Sequence, residues 1–251
     1  MRLAVLGIAF GIGAALLPAA ASAGESVVYT VEGGNYEGYS APAKGASKGL
    51  VLIIHDWDGL TGYEEKRAEM LADMGYDAFA VDLYGQGNRP VETGAKKAET
   101  GKLYNDREKM RGLILGGLAE ARKMSSAPTV GMGYCFGGAA VLELARSGKA
   151  DNVAGYATFH GGLATPPGQS YPADTPPLLI AHGGADSAIT MDDVAALSKE
   201  LEKDGLTYEI QVYSGAPHAF TVFGSGSYRE VADQESWAAF QDFLADNLTG
   251  S

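Results

Sequence analysis

The sequence predicts an α/β fold: a mostly parallel central sheet with helices on both faces. Two observations carry this. Short continuous apolar runs, Leu-Val-Leu-Ile-Ile at 50–54 and Leu-Leu-Ile-Ala-His at 178–182, read as strands buried on both faces. Between the candidate strands lie longer segments with helical periodicity, and strands alternating with helices build parallel sheets covered on two sides.

The elements follow in chain order. Met1-Arg2-Leu3 leads into an apolar stretch ending at Leu17, then Pro18 and Ala21-Ser22-Ala23 before Gly24. This is the pattern of a secretory signal peptide with an A-x-A cleavage site after Ala23. Residues 1–23 are therefore expected to be removed, leaving 24–251 as a single domain that is secreted or periplasmic. Glycines and Pro18 interrupt the apolar stretch, which is short for a spanning helix, so no membrane attachment is expected after cleavage.

Strands are expected at 27–31, 50–54, 77–81, 129–133, 153–159, 178–182 and 208–213. Thr61 with Glu64 three residues later forms a capping box for a helix running to Met74, and Gly75 is its natural stop. Val194, Leu197 and Leu201 make an apolar stripe on a helix begun near Thr190 and ended by Gly205. Trp237, Phe240, Leu244 and Leu248 mark another helix whose aromatics belong to the core. Segment 85–105 is glycine-rich and polar, contains Asn88, Arg89, Pro90 and Gly94, and begins just past a strand end. It is expected to be a loop, and it is a candidate lid over the site.

Composition narrows the class. The 251 residues carry 19 basic and 31 acidic side chains, a formal net charge of −12. Arg2 is the one charged residue in 1–23, so the remainder is one unit more negative. Such a surface disfavours nonspecific binding to nucleic acid or anionic lipid. The single cysteine, Cys135, cannot form an intramolecular disulfide, so it is expected to be a free thiol even in an oxidising compartment.

That cysteine sits in Gly131-Met132-Gly133-Tyr134-Cys135-Phe136-Gly137-Gly138, a G-x-C-x-G segment. A buried strand precedes it and an apolar helical run with Val141, Leu142, Leu144 and Ala145 follows. It therefore reads as a nucleophile elbow, a strained strand-to-helix turn in which side chains at the flanking glycines would clash. A cysteine attacks as its thiolate and needs an imidazole oriented by a third group. Downstream, the 178–182 strand runs into Gly183-Gly184-Ala185-Asp186, and the 208–213 strand leads through Ser214-Gly215-Ala216-Pro217 to His218. Nucleophile, acid, histidine is the chain order of α/β-hydrolases. The expected roles are attack by Cys135, proton transfer by His218 and orientation of the imidazole by Asp186.

The segments Gly133-Tyr134-Cys135-Phe136-Gly137-Gly138, Gly183-Gly184-Ala185-Asp186 and Ala216-Pro217-His218-Ala219-Phe220 together resemble the dienelactone hydrolase family. His55-Asp56-Trp57-Asp58-Gly59-Leu60 and Val81-Asp82-Leu83-Tyr84-Gly85 extend the likeness. The resemblance implies an α/β-hydrolase fold and a Cys-His-Asp triad that cleaves a lactone or small activated ester through an acyl-enzyme. It implies an oxyanion hole from the backbone N–H groups of Phe136 and Trp57. Asp56 stands where the family's type enzyme has a glutamate that contacts the resting cysteine, so it is a candidate modulator of the thiol. Of the two arginines that hold the substrate carboxylate in that enzyme, one corresponds to Val222 and the other falls near Lys97. Lys97 is thus a candidate substrate-binding residue, and dienelactone itself is a poor fit.

Two other readings compete. A non-catalytic binding protein on a hydrolase scaffold would hold His218 away from Cys135 and Asp186. A metal site could use His55, His160, His182 and His218, which all follow strands, but their loops lack metal-ligand spacing. No metal and no cofactor is therefore expected.

Overall fold

A computed structural model describes residues 24–248. The signal peptide expected at 1–23 lies outside the described residues. Eight strands form one sheet: β1 (Glu25–Val31), β2 (Gly34–Ala41), β3 (Leu50–Ile54), β4 (Asp77–Val81), β5 (Thr129–Tyr134), β6 (Val153–Phe159), β7 (Leu178–Gly183) and β8 (Tyr208–Tyr213). Their order is β1-β2-β4-β3-β5-β6-β7-β8. The run from β4 through β3 to β8 is parallel, whereas β2 pairs antiparallel with both β1 and β4.

Every strand expected from the sequence is present; β2 is an addition. Its sequence, Gly-Asn-Tyr-Glu-Gly-Tyr-Ser-Ala, is too polar and glycine-rich to stand out. The tight turn before it explains its register. Val31 pairs with Gly34, and the two residues between, Glu32 and Gly33, have φ of 49° and 82°. Positive φ at both central positions is the twist-matched hairpin turn, here with glutamate where asparagine or aspartate is usual.

Among the described residues six helices cover the sheet: α1 (Gly62–Asp73), α2 (Thr93–Asn105), α3 (Arg107–Met124), α4 (Phe136–Ser147), α5 (Met191–Asp204) and α6 (Glu230–Leu248). The capping box on α1 forms as expected, with Thr61 as N-cap and Glu64 reaching back to its N–H. Helix α5 likewise begins after Thr190 and stops at Gly205, which takes the left-handed conformation. The sheet alternates between two cores. Leu50, Leu52 and Ile54 face a layer with Leu113, Leu142 and Leu197, while Val51 and Ile53 face Leu71, Phe240 and Leu244. Trp237 lies in the second core, as its helical spacing predicts.

One expectation is overturned. Segment 85–105 is not a loop throughout: only its first part is irregular, and 93–105 is helix α2. The turn residues between Gly85 and Pro90 obscured a helix whose buried side is narrow, with only Thr100 and Leu103 buried.

The sheet order fixes where a site forms. From β3 the chain moves to β4 on one side, then returns to add β5 on the other. Strand order reverses between them, and the crevice outside the carboxyl ends of such a pair is where open α/β sheets bind ligands.

Candidate active site

Cys135 occupies that crevice, between the last residue of β5 and the first of α4, with φ of 51° and ψ of −110°. A non-glycine residue there costs about 1–3 kcal/mol and persists only where its surroundings enforce it. They do so here. The Cys135 N–H donates to Phe159 O at 3.0 Å, and its carbonyl accepts from Ala139 N–H at 3.2 Å. The flanking glycines allow the turn to close: a Cβ on Gly133 would lie 2.1 Å from Gly137 O, and one on Gly137 the same distance from Ile54 O. The second approach presses the start of α4 against the end of β3.

The other two members of the expected triad converge on this point. His218 Nε2 lies 3.1 Å from Cys135 Sγ, and its Nδ1 lies 2.7 Å from Asp186 Oδ2. Asp186 in turn is fixed at its other oxygen, which accepts from Ala188 N–H at 2.8 Å and Ile189 N–H at 3.0 Å. The carboxylate therefore holds Nδ1–H, leaving Nε2 free to take a proton from sulfur. The separation of His218 from its partners that a retired scaffold would require is absent.

The surroundings of the thiol favour its protonated form. Burial, then the negative charge of Asp56, pushes Cys135 up to about 12, against a favourable hydrogen bond from Phe136 N–H. Asp56 is itself pushed up to about 9, by burial first and then by sharing a hydrogen bond with Asp58 and lying near Glu64. Burial opposes ionisation of Asp58 too, but the Asp56 hydrogen bond and the Lys96 ammonium, 3.1 Å away, hold its carboxyl below the usual range. Of the pair, Asp56 is thus the carboxyl inclined to keep a proton and Asp58 the one inclined to ionise, facing Lys96.

Phe136 N–H is at the start of α4, directed at the cysteine sulfur. Trp57 N–H, in the turn after β3, has no acceptor among the described residues. Both residues line a 220 Å³ cavity with Cys135, His218, Tyr104 and Ile189. Lys97 does not line it: that side chain is exposed on α2. Its neighbour Lys96 is the one that turns inward, to Asp58 and over the Trp57 ring at 5.3 Å. Val222 is half-buried in the turn after His218.

Lys96, Thr100 and Tyr104 were not singled out from the sequence. Their spacing, four residues each, was the available signal of a helix face turned towards the site. Tyr104 packs edge-on against Phe136, ring centroids 5.4 Å apart.

The remaining histidines are committed elsewhere. His55 donates from Nδ1 to Asp56 O and accepts Leu83 N–H at Nε2, 2.6 Å and 3.1 Å, which defines a neutral ring. Burial pushes it down to about 4. His160 Nε2 pairs with Thr221 Oγ1, and His182 Nε2 donates to Ile189 O, steadying the loop that grips Asp186. Among the described residues no group of three or more His, Cys, Asp or Glu is arranged to hold a metal ion.

A parallel sheet with a thiol at its switch point and an acid-tethered histidine beside it defines a hydrolase of the α/β class. Within that class, the sequence pattern of the dienelactone hydrolase family matches residues 36–248, and the chain belongs to that family. A probable 2-oxo-3-(5-oxofuran-2-ylidene)propanoate lactonase of Bradyrhizobium sp is 25% identical, over 80% of this chain and 84% of its own. A carboxymethylenebutenolidase of Pseudomonas putida is 27% identical, over 84% of this chain and 93% of its own. Among solved structures, a dienelactone hydrolase-like promiscuous phosphotriesterase from metagenomic libraries superposes with a TM-score of 0.79 at 25% identity, covering 89% of this chain and 98% of its own.

Proposed function

We propose that this hydrolase opens a lactone or small activated ester by covalent catalysis at Cys135. The reading rests chiefly on one observation, the continuous contact from Cys135 Sγ through His218 to Asp186. The lactonase name of the Bradyrhizobium relative supports the substrate class.

The chemistry follows from the resting protonation. As Sγ attacks the carbonyl carbon, the thiol proton passes to His218 Nε2 and the carbonyl electron pair moves onto oxygen. Phe136 N–H and Trp57 N–H receive that oxyanion; a donor of this kind is worth roughly a hundredfold or more in rate. Collapse breaks the ester C–O bond, and the departing oxygen takes the proton from His218. In a lactone it remains tethered through the acyl chain. Water then attacks the thioester with His218 as base, releasing the acid and restoring the thiol. A neutral resting thiol needs His218 for every turnover, unlike a preformed thiolate.

The test is a panel of lactones, aryl esters and thioesters assayed with wild type and Cys135→Ala. Turnover should vanish in the variant for every accepted substrate. Undiminished hydrolysis of any of them by Cys135→Ala overturns the assignment of the nucleophile. Export remains part of the reading on the strength of the N-terminal pattern; a mature mass lacking residues 1–23 is the expected result.

A further inference from the structure

A second chamber of 280 Å³ adjoins the cavity of Cys135 and shares Tyr104, Gly162, Ala188 and Ile189 with it as common wall. Beyond that wall its lining changes character. Arg107 and Arg146 enter it, with Asp193 opposite. In a protein whose net charge is −12, a chamber next to Cys135 that gathers two guanidinium groups is a local concentration of positive charge.

The charges are not evenly spent. Glu143, one face of the nucleophile helix α4, is fully buried and is shared by three arginines: Arg107 at 2.9 Å, Arg146 at 3.3 Å, and Arg111 through its Nε at 2.8 Å. One carboxylate cannot neutralise three guanidiniums. Arg111 is also paired with the exposed Glu108, and Arg146 also donates to Gln169 and Tyr171, at 3.0 Å and 2.9 Å. Arg107 differs. It gives Nη1 alone to Glu143, is 29% exposed, and its guanidinium lies 5.5 Å from the ring centroid of Tyr104, the residue between the two chambers. Its other donors have no partner among the described residues. Asp193 opposes an anion, but its Oδ2 is tied into the cap of α5 by Thr190 N–H and Thr190 Oγ1, at 2.7 Å and 2.8 Å.

We propose that the second chamber is a subsite for the anionic end of an elongated ester or lactone, with Arg107 as its anchor and Tyr104 as the sill the substrate crosses. This rests on the proposed thiol chemistry and deepens it. The site uses neither position at which the family resemblance implies a carboxylate-binding arginine, since those correspond to Val222 and the neighbourhood of Lys97. The anion would then sit on the far end of a flexible arm and not beside the reacting carbonyl. A guanidinium with free donors grips a carboxylate through two parallel hydrogen bonds, so it discriminates an acid from its own methyl ester.

The experiment compares ω-carboxyalkanoyl aryl esters of increasing chain length with their ω-methyl esters, in wild type, Arg107→Gln, Arg107→Lys and Cys135→Ala. Wild type should favour the acid by at least tenfold in kcat/KM at an intermediate chain length. Arg107→Gln should erase that ratio, and Arg107→Lys should restore part of it. The ratio is insensitive to a variant that folds incompletely, because lost protein lowers both rates alike. Equal rates for acid and methyl ester across the series, preference for an amine-terminated ester, or an unchanged ratio in Arg107→Gln would overturn the subsite. Persistence of both activities in Cys135→Ala would instead overturn the thiol mechanism, which keeps the two failures apart.

Discussion

Helix α1 buries two charged side chains one turn apart, and the protein treats them in opposite ways. Arg67 points into a cage where Phe223 and Trp237 face its guanidinium, with ring centroids at 4.3 Å and 4.9 Å. It pairs with buried Asp233 and donates to Thr221 O at 3.0 Å. Glu64, on the same helix, faces the loop after β3, where Asp56 and Asp58 already crowd each other. The first charge is matched by its opposite, and the pair is closed in among aromatic rings and a backbone carbonyl. The second adds acid to acid in a buried loop, so it keeps its proton to a higher pH. Buried groups with pKa values displaced towards neutrality mark sites in this way.

Loss of His218, the base in the proposed mechanism, should have the largest effect. His218→Ala should lower kcat by about a thousandfold or more, since the thiol at rest holds its proton and general-base catalysis is worth up to that order. The fold should survive, with an unchanged melting transition, because His218 is partly exposed and its partners are at the cavity. A rate within tenfold of wild type would mean that the acid cluster, and not the histidine, activates sulfur.

The matched cluster should respond in the opposite sense, in stability. Arg67→Met strands Asp233 among aromatics, and removal of one partner from a buried pair typically costs about 3–5 kcal/mol. Denaturant unfolding measures it. Adding Asp233→Leu should recover much of that loss, because the uncompensated charge and not the missing attraction is the expensive part. No recovery in the double variant would show that the cage depends on the ion pair itself.

Legibility from the sequence followed the same division. The three residues that meet in the cavity could be read because each follows a strand at its carboxyl end: β5 and β7 are buried throughout, and β8 is marked by the alternation of Tyr208-Glu209-Ile210-Gln211-Val212-Tyr213. The elbow could be read because its glycines answer to hard contacts with backbone. What escaped lies on helices whose exposed faces are polar. Helix α2 carries Lys96 and Tyr104 to the site, yet its beginning is masked by a turn-rich approach, and inward-facing Lys96 cannot be told from exposed Lys97 without the helix phase. Strand β2 escaped because antiparallel pairing holds it in the sheet in spite of its glycines. Arg107 escaped for a different reason: it begins α3, and the chamber it enters is completed by Ala139 and Arg146 of α4 and by the loops after β6 and β7, all distant in sequence.

Asp56→Asn gives a third, intermediate effect, and its sign depends on pH. At pH 7 the carboxyl is protonated, so replacing it removes little charge and the rate of Cys135 alkylation should change less than about threefold. Above pH 9 the wild-type carboxyl ionises beside sulfur and opposes thiolate formation. The variant lacks that repulsion, so its thiolate should appear at lower pH, read by ultraviolet absorbance or by iodoacetamide rate. Superimposable titrations would remove Asp56 from any control over the thiol.

The smallest effect is expected at Glu64. Burial raises its folded-state value to about 7, opposed by hydrogen bonds from Thr61 and Asp56. A carboxyl raised on folding contributes stability that is fully present below its unfolded value and is lost as pH climbs through the folded one. The loss should therefore set in above about pH 4.5 and be complete a little beyond pH 7. Glu64→Gln keeps the capping box, because glutamine serves at that position, and carries no titrating group. At pH 4 the two proteins should differ by about 1 kcal/mol or less. Between pH 5 and 8 the wild type should lose stability relative to the variant, as measured by denaturant midpoints across that range. Parallel curves would mean that Glu64 ionises freely in the folded state, and the contrast with Arg67 would then reduce to packing alone.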